Sequence, residues 1–344
     1  ETRTNLENLK GYHLSDGVYF ILQRGDEYHE IQPVWNYRKL PGLTFIDTDA
    51  PIPYGSETPR GGNTSFVGGA SDGLGGISVM DYDKAGVKAK KAYFFSPGGL
   101  VCLGAGIQSG EDESVLTTLN QCRLNGPITV FQGGKASALA DSSLTGNDIK
   151  AIHHDGMAYL ILEGSSVTIE AGQRPGSWQE VEAKASPNPV PQDVFTATID
   201  HGPKPTDATY AYRIIPETAA DELAGIASDK SVQLLANTPN TQAVHFAENA
   251  VTHVVFHTAG TIALPDGSTF TSDTPCAIIF RPADNNLLLT VADPGQTHPQ
   301  LILTLDGRFA GRGTSIIGTK TQIVVDLPKA LSAGQSVTLL LQRK

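Results

Sequence analysis

No stretch of this sequence approaches the ~20 consecutive apolar residues that a membrane-crossing helix requires. Positive charge is also in short supply: 25 Lys and Arg stand against 36 Asp and Glu, a net charge of −11. A nucleic-acid-binding chain carries a basic footprint, so that class is set aside. Cysteine is scarce, and the three present cannot all pair. Cys102, Cys122 and Cys276 each sit in or beside an apolar run. Buried thiols are the simplest reading, with a Cys102–Cys122 bridge or one reactive thiol as alternatives, and none of these fixes a compartment. Charged residues make up 18% of the chain, below the usual quarter. The opening ETRTNLENLKGYHLSDG lacks the pattern of a signal peptide. A chain that starts on Glu1 without methionine reads as a processed or excised piece. There is no Gly-x-Ser-x-Gly elbow, phosphate loop or paired-cysteine zinc pattern. There is also no internal repeat and no run of amphipathic helical hairpins.

What the chain has in quantity is turn chemistry, with 36 Gly and 21 Pro in 344 residues. That profile, at a length sufficient for one large domain or two ordinary ones, points to an all-β protein. The densest strand signals lie between Lys88 and Gly126. Ala89–Phe95 is rich in aromatics, and Leu100–Leu103 is continuously apolar, as a strand buried on both faces would be. Ser96-Pro97-Gly98-Gly99 between them is a turn. Gly104 and Gly106 mark a bulge or a close backbone approach. Residues 115–119 supply a third strand, and this stretch is the centre of a sheet.

Upstream, Val18–Gln23 reads as a strand closed by Arg24-Gly25-Asp26, with residues 27–31 extended as far as Pro33, which favours an edge. Leu40-Pro41-Gly42 is a type II turn signature. Residues 46–76 form a long Gly-, Pro- and Ser-rich loop, carrying Arg60-Gly61-Gly62-Asn63 and residues 68–73, that is placed to line a cleft. Downstream, residues 157–215 give several short strands. The proline-rich 186–191 segment is a surface connection. One helix is expected from Pro216 to about Ala227. It marks a junction, so the chain divides into 1–232, a large domain, and 233–344, a smaller sandwich with turns at 264–267 and 293–295.

Several segments, taken in order, resemble one family: RGDEYHEIQPVWNYRKLPGLT, GGASDG, KAYFFSPGGLVCLGAGI and TTLNQCRLNGP, followed by HDGMAYL, YAYRIIPE, LLANTPNTQAV, HTAG and LTVADPGQ. The chain is similar to polysaccharide lyase family eight, most of all to its chondroitin AC lyases, with hyaluronate and xanthan lyases further off. The resemblance implies a large antiparallel β-sandwich (a supersandwich of galactose-mutarotase-like type) followed by a smaller C-terminal β-sandwich. It implies β-elimination at a uronic acid of chondroitin sulfate or hyaluronan, and secreted or periplasmic residence. In the family, the tyrosine, histidine, asparagine and arginine that carry elimination lie on an N-terminal helical toroid. This chain begins where the sandwich begins, so the toroid is expected as a partner domain of the same enzyme. The competing reading is a stand-alone carbohydrate-binding or scaffold module, for which Trp35, Tyr37 and Trp178 are the available stacking aromatics.

By resemblance, Glu27 matches a glutamate that reaches from the sandwich to orient the toroid's arginine and tyrosine. Glu30 stands where relatives tend to carry a sugar-contacting asparagine, and a second carboxylate there puts the polymer in question. Trp35 and Arg38 are further candidates for substrate contact, and of the adjacent Arg38 and Lys39 at most one can face a given sugar. No cofactor is required. A structural calcium is the one metal the resemblance allows, with Asp72 and Asn63 as its ligands. His153-His154-Asp155-Gly156 is read as a hairpin turn rather than a metal site or base. His253 and His257, four apart on one strand, are read as solvent-facing, with His245 near them in sequence.

Overall fold

The computed structural model describes residues 7–54 and 61–344; Arg60 of the loop singled out above lies outside them. The fold is all-β, as expected, and four sheets carry it. The described residues separate into two compact units, one of residues 7–54, 61–63, 82–89 and 107–228, the other of 64–81, 90–106 and 229–344.

The first unit holds a five-stranded sheet in the order Thr44–Ile46, Ser114–Arg123, Gln192–Pro203, Ser166–Arg174, Ser143–Gly146. Its second strand, Ser114–Arg123, is buried along nearly its whole length and lies in a different sheet from Val87–Ser96 and Gly99–Ser109, so residues 88–126 do not form the centre of one sheet. A nine-stranded sheet runs Val67–Ser71, Gly76–Lys84, Val87–Ser96, Gly99–Ser109, Ala208–Ile215, Met157–Glu163, Ile149–His154, Ile128–Gln132, Lys135–Ala138. Within the first unit, inward rings from strands of both sheets meet: His154 stacks on Phe195 with centroids 4.4 Å apart, and Tyr159 lies 5.9 Å from the same ring. The two turns forecast around residues 96–99 and 155–156 are present. Asp155 and Gly156 both have positive φ (54° and 75°), as a two-residue hairpin of the first mirror-image type demands.

In the second unit, a seven-stranded sheet from Val232–Asn237 to Phe309–Ala310 faces a five-stranded one from Gly260–Ala263 to Thr314–Ile317. Phe256, Phe270, Ile278, Leu289, Leu303 and Ile323 form the apolar layer between them, each almost wholly shielded from solvent. Gly106, expected at a close approach, has φ of 60°, and a side chain there would meet Pro239 at 3.1 Å.

Four local expectations are corrected. Val18–Gln23 is not a strand, because its amides are spent elsewhere: Tyr19 donates to the Pro41 carbonyl, Ile21 to the Tyr28 hydroxyl and Gln23 to the Glu27 carboxylate. Residues 27–30 form a turn rather than an extended run, and Glu30 sits at φ of 52°. The loop 46–76 contains a strand, Val67–Ser71, paired with Gly76–Lys84. The helix shrinks to Leu223–Ile226 with a 3-10 turn at Ala220–Glu222. Glu217, at φ of 56°, breaks any earlier start. What remains buries Leu223 against Ala151, Ala158 and Leu160.

The strand histidines are corrected as well. His253 and His257 are buried, not solvent-facing, because Val251–Phe256 is shielded along both faces. Burial pushes the His253 imidazole down to about 4 and that of His257 to about 3. All three cysteines are buried, and no Cys102–Cys122 bridge is formed.

Candidate functional site

The candidate site is built on the irregular segment 18–43, which lies along the Ser114–Arg123 strand. Its far end is the predicted type II turn: Gly42 has φ of 83°, and the Leu43 amide donates to the Leu40 carbonyl at 3.0 Å. From there the Gly42 amide bonds the Thr118 carbonyl, and the Thr118 amide bonds the Leu43 carbonyl. The strand's side chains then take over. Gln121 receives the Asn36 amide on Oε1 and donates through Nε2 to the carbonyls of Asn36 (2.9 Å) and Lys39 (2.6 Å). Asn120 accepts from the Tyr28 hydroxyl at 2.9 Å and donates to that of Tyr159 at 2.6 Å. The Arg123 amide closes onto the Glu27 carbonyl. A loop with no ladder of its own is thus sewn to a central strand by buried amide side chains, so its backbone polar groups stay satisfied.

At the near end Glu27 organises a tight turn. Its Oε1 accepts from the amides of Gln23 (2.9 Å) and Arg24 (2.8 Å), and its Oε2 accepts from that of Gly25 (2.9 Å). Three successive N–H groups converge on one carboxylate, an anion-holding nest formed by the chain itself. Burial alone would raise the Glu27 pKa, but the amide hydrogen bonds outweigh it and hold the carboxyl below its ordinary range. Arg24, which leaves the apex of this turn, forms a two-pronged ion pair with Asp155 at 2.5 and 2.7 Å. Asn125 Nδ2 shares Asp155, and the Gln23 side chain reaches the Gly156 carbonyl. The turn is therefore clamped to the 155–156 hairpin.

Aromatic rings form the surface beside it. Phe20 is stacked on Trp35 with ring centroids 5.7 Å apart and planes within 11°, and Tyr28 and Tyr37 meet Trp35 edge-on. Trp35 is only 8% exposed, whereas Phe20 is 46% and Leu22 62% exposed. The face open for stacking is therefore that of Phe20, not of Trp35, which lies beneath it.

Glu27, Glu30 and Trp35 share this segment. The Glu30 side chain is exposed, and its carbonyl receives Gln192 Nε2 at 2.7 Å. Arg38 faces elsewhere: it lines a cavity of about 190 Å³ with Tyr12, Phe45 and Glu113, and its Nη2 donates to the Pro51 carbonyl. Lys39 turns to Glu170 at 3.3 Å. As expected, the two adjacent cations diverge.

The proposed calcium ligands do not fit a cation. Asp72 Oδ2 is ion-paired with Arg281 at 2.5 Å, and Oδ1 accepts the amides of Leu74 and Gly75. Burial is outweighed there by the Arg281 hydrogen bond, which keeps the carboxyl below its ordinary range. A guanidinium stands where a divalent ion would need six to eight oxygens. The Asn63 amide donates to the Asp83 carbonyl at 3.0 Å. Among the described residues no group of three or more His, Cys, Asp or Glu is placed to hold a metal.

The sequence profile of the super-sandwich domain of polysaccharide lyase family 8 matches residues 2–227. The chain belongs to that family. Residues 233–301 match the profile of the same family's C-terminal β-sandwich domain. Chondroitinase-AC of Pedobacter heparinus is 33% identical over 339 residues, which are 97% of this chain and 47% of that protein. A hyaluronate lyase of Thermasporomyces composti is 26% identical over 349 residues, 96% of this chain and 44% of that one. A chondroitinase AC lyase solved with oligosaccharides is 32% identical, with a TM-score of 0.87 over 98% of this chain and 48% of its own. The Streptomyces coelicolor A3 chondroitin AC lyase, in complex with chondroitin sulphate, shares the fold with a TM-score of 0.82 at 23% identity. This lyase-family chain thus spans just under half the length of these relatives.

Reading the sequence alone missed Phe20, Arg24, Asn125 and Asp155 as parts of the site. Phe20 was hidden by the strand reading of VYFILQ. The Arg24–Asp155 clamp joins residues 131 apart, which no local pattern reveals.

Proposed function

We propose that this chain is the β-sandwich portion of a lyase that cleaves chondroitin or hyaluronan by β-elimination. In that reaction a base removes the proton beside the uronate carboxylate and the glycosidic C–O bond breaks. The leaving oxygen takes up a proton, and a C=C bond remains in the sugar ring. The observation that carries the reading is the 33% identity to Chondroitinase-AC across 97% of the chain. Base and acid belong, in this reading, to a helical partner domain of the same enzyme. Tyr28 and Tyr159, the tyrosines behind the site, are raised above their ordinary range by burial, and His154 is pushed down to about 4 by the same cause. Groups shifted in those directions are framework, not proton carriers at neutral pH.

The sandwich contributes one wall of the cleft. Phe20 and Leu22 offer the apolar surface on which a sugar face can rest. Glu27 acts as a positioning residue through the turn it holds: its oxygens are engaged by amides 23–25, so it fixes the apex that faces the partner. A direct bond from Glu27 to the partner's arginine would add to these contacts. Secreted or periplasmic residence accompanies this reading, since the polymer substrate is extracellular.

Titration of chondroitin sulfate and hyaluronan oligosaccharides onto the chain, followed by NMR, tests the wall. Weak binding, with Kd on the order of millimolar and lost in Phe20→Ala, is expected of half a cleft. Sub-micromolar binding indifferent to Phe20→Ala would instead identify a stand-alone binding module.

A further inference from the structure

The C-terminal sandwich has a cavity of its own, about 760 Å³, at the end where three of its hairpins meet. The hairpins are those between Thr241–Phe246 and Val251–Phe256, between Gly260–Ala263 and Thr269–Ser272, and between Cys276–Ala283 and Asn286–Ala292. Its floor is apolar: Phe280, Leu305 and Phe309 are buried there, with Leu264 and Leu287 half-buried beside them. Its rim is polar, formed by Asp266, Asp284, Asn285, Asn286, His245 and Arg343. An apolar floor under a few placed polar groups, at this volume, is the general form of a small-ligand site.

The rim selects by charge. Arg343 sits over the Phe309 ring, with its guanidinium carbon 5.6 Å from the centroid, and lines the cavity wall. Asp266 Oδ1 is occupied by Ser268, both amide and hydroxyl. Asp306 is filled by Thr269 and by Lys320 at 3.0 Å, which removes that lysine as an anion receptor. Asp266 and Asp284 at the rim then stand against Arg343 alone, which disfavours a sulfated or carboxylated sugar. Carboxylate, amide, imidazole and guanidinium edges above the half-buried aliphatic carbon of Leu264 and Leu287 suit a ring with hydroxyls at its edge and C–H groups on its face.

We infer that this cavity binds an uncharged pyranose sugar, of hexose or N-acetylhexosamine type. The assignment stands on this cavity alone and does not depend on the lyase reading. It makes the C-terminal sandwich a recognition module for a sugar other than the acidic repeat itself.

Saturation-transfer NMR and calorimetry on the whole chain test it, with N-acetylglucosamine, N-acetylgalactosamine, lactose and cellobiose as neutral probes and an unsaturated chondroitin sulfate disaccharide as the charged one. At least one neutral probe is expected to bind. Arg343→Ala should weaken that binding by about tenfold, the loss of a charged hydrogen bond. Asn285→Trp, at the exposed rim, should block it while thermal unfolding stays unchanged, which keeps the test valid if Arg343→Ala perturbs the fold. No binding by any neutral probe would overturn the assignment. So would binding untouched by both variants, or tighter binding of the sulfated disaccharide.

Discussion

The segment 18–43 and the C-terminal sandwich are held by opposite means. The sandwich is a dry layer of Phe, Leu, Ile and Val side chains between two sheets. Segment 18–43 has hardly any regular structure and is fixed by individually placed polar bonds: Glu27 on three amides, Asn120 and Gln121 from the strand beneath, Arg24 on Asp155. Apolar layers fail as a whole when cut, because burial is shared among many contacts. A polar seam fails locally, one bond at a time, and so can be tuned without unfolding its unit. That is the behaviour expected of a surface that must meet a substrate.

The sharpest way to break the contrast is in the sandwich. Phe256→Ala removes a fully buried ring stacked near Phe270 and should cost about 3–5 kcal/mol in chemical denaturation. Labelling kinetics of the buried thiols would then read the units separately, Cys276 becoming reactive while Cys122 stays protected. A loss of both at once would show the units to be one cooperative body.

Acid is the next largest perturbation. Burial lowers His154, His201 and His253 to about 4 and His257 to about 3 in the folded chain. An unfolded histidine titrates near 6.5, so between these values the unfolded state binds more protons, and stability rises with pH. Stability should therefore be full near pH 7 and decline steadily as pH falls from about 6.5 towards 4. The depressed carboxyl of Glu27 adds its loss only below the ordinary carboxylate range. A flat thermal midpoint between pH 7 and 5 would contradict the burial of His154, His253 and His257.

Glu27→Gln is smaller and local. The amide keeps one acceptor but loses the charge on three converging N–H groups, a cost of roughly 1–3 kcal/mol. Faster hydrogen exchange should appear at residues 23–25 while the midpoint of global unfolding hardly moves. Smallest of all is Arg24→Ala, which opens an exposed ion pair; its mark should be greater mobility of the Gly25 region without measurable loss of stability.

The two regions also differ in how far the sequence discloses them. Continuous apolar runs and Pro/Gly turns disclose the strands at Val87–Ser96, Gly99–Ser109 and Ser114–Arg123, because period and turn chemistry are local properties. The Asp155-Gly156 hairpin is legible for the same reason. Val18–Gln23 looks like a strand because its composition is that of one, yet its amides bond to Pro41, Tyr28 and Glu27 instead of a ladder. His253 and His257 look solvent-facing because alternation cannot tell a sheet with one wet face from a strand buried on both. Of the site, the resemblance points to Glu27. What its carboxylate touches depends on a turn geometry that spacing does not specify.

The central claim is that this chain forms a wall and not the whole of an elimination site. Incubating the purified 344-residue chain with chondroitin sulfate and following the ultraviolet absorbance of the unsaturated sugar tests it most directly. The account predicts no rise above the buffer control at any pH. A steady, enzyme-dependent rise would contradict it, and would place the base among the side chains described above.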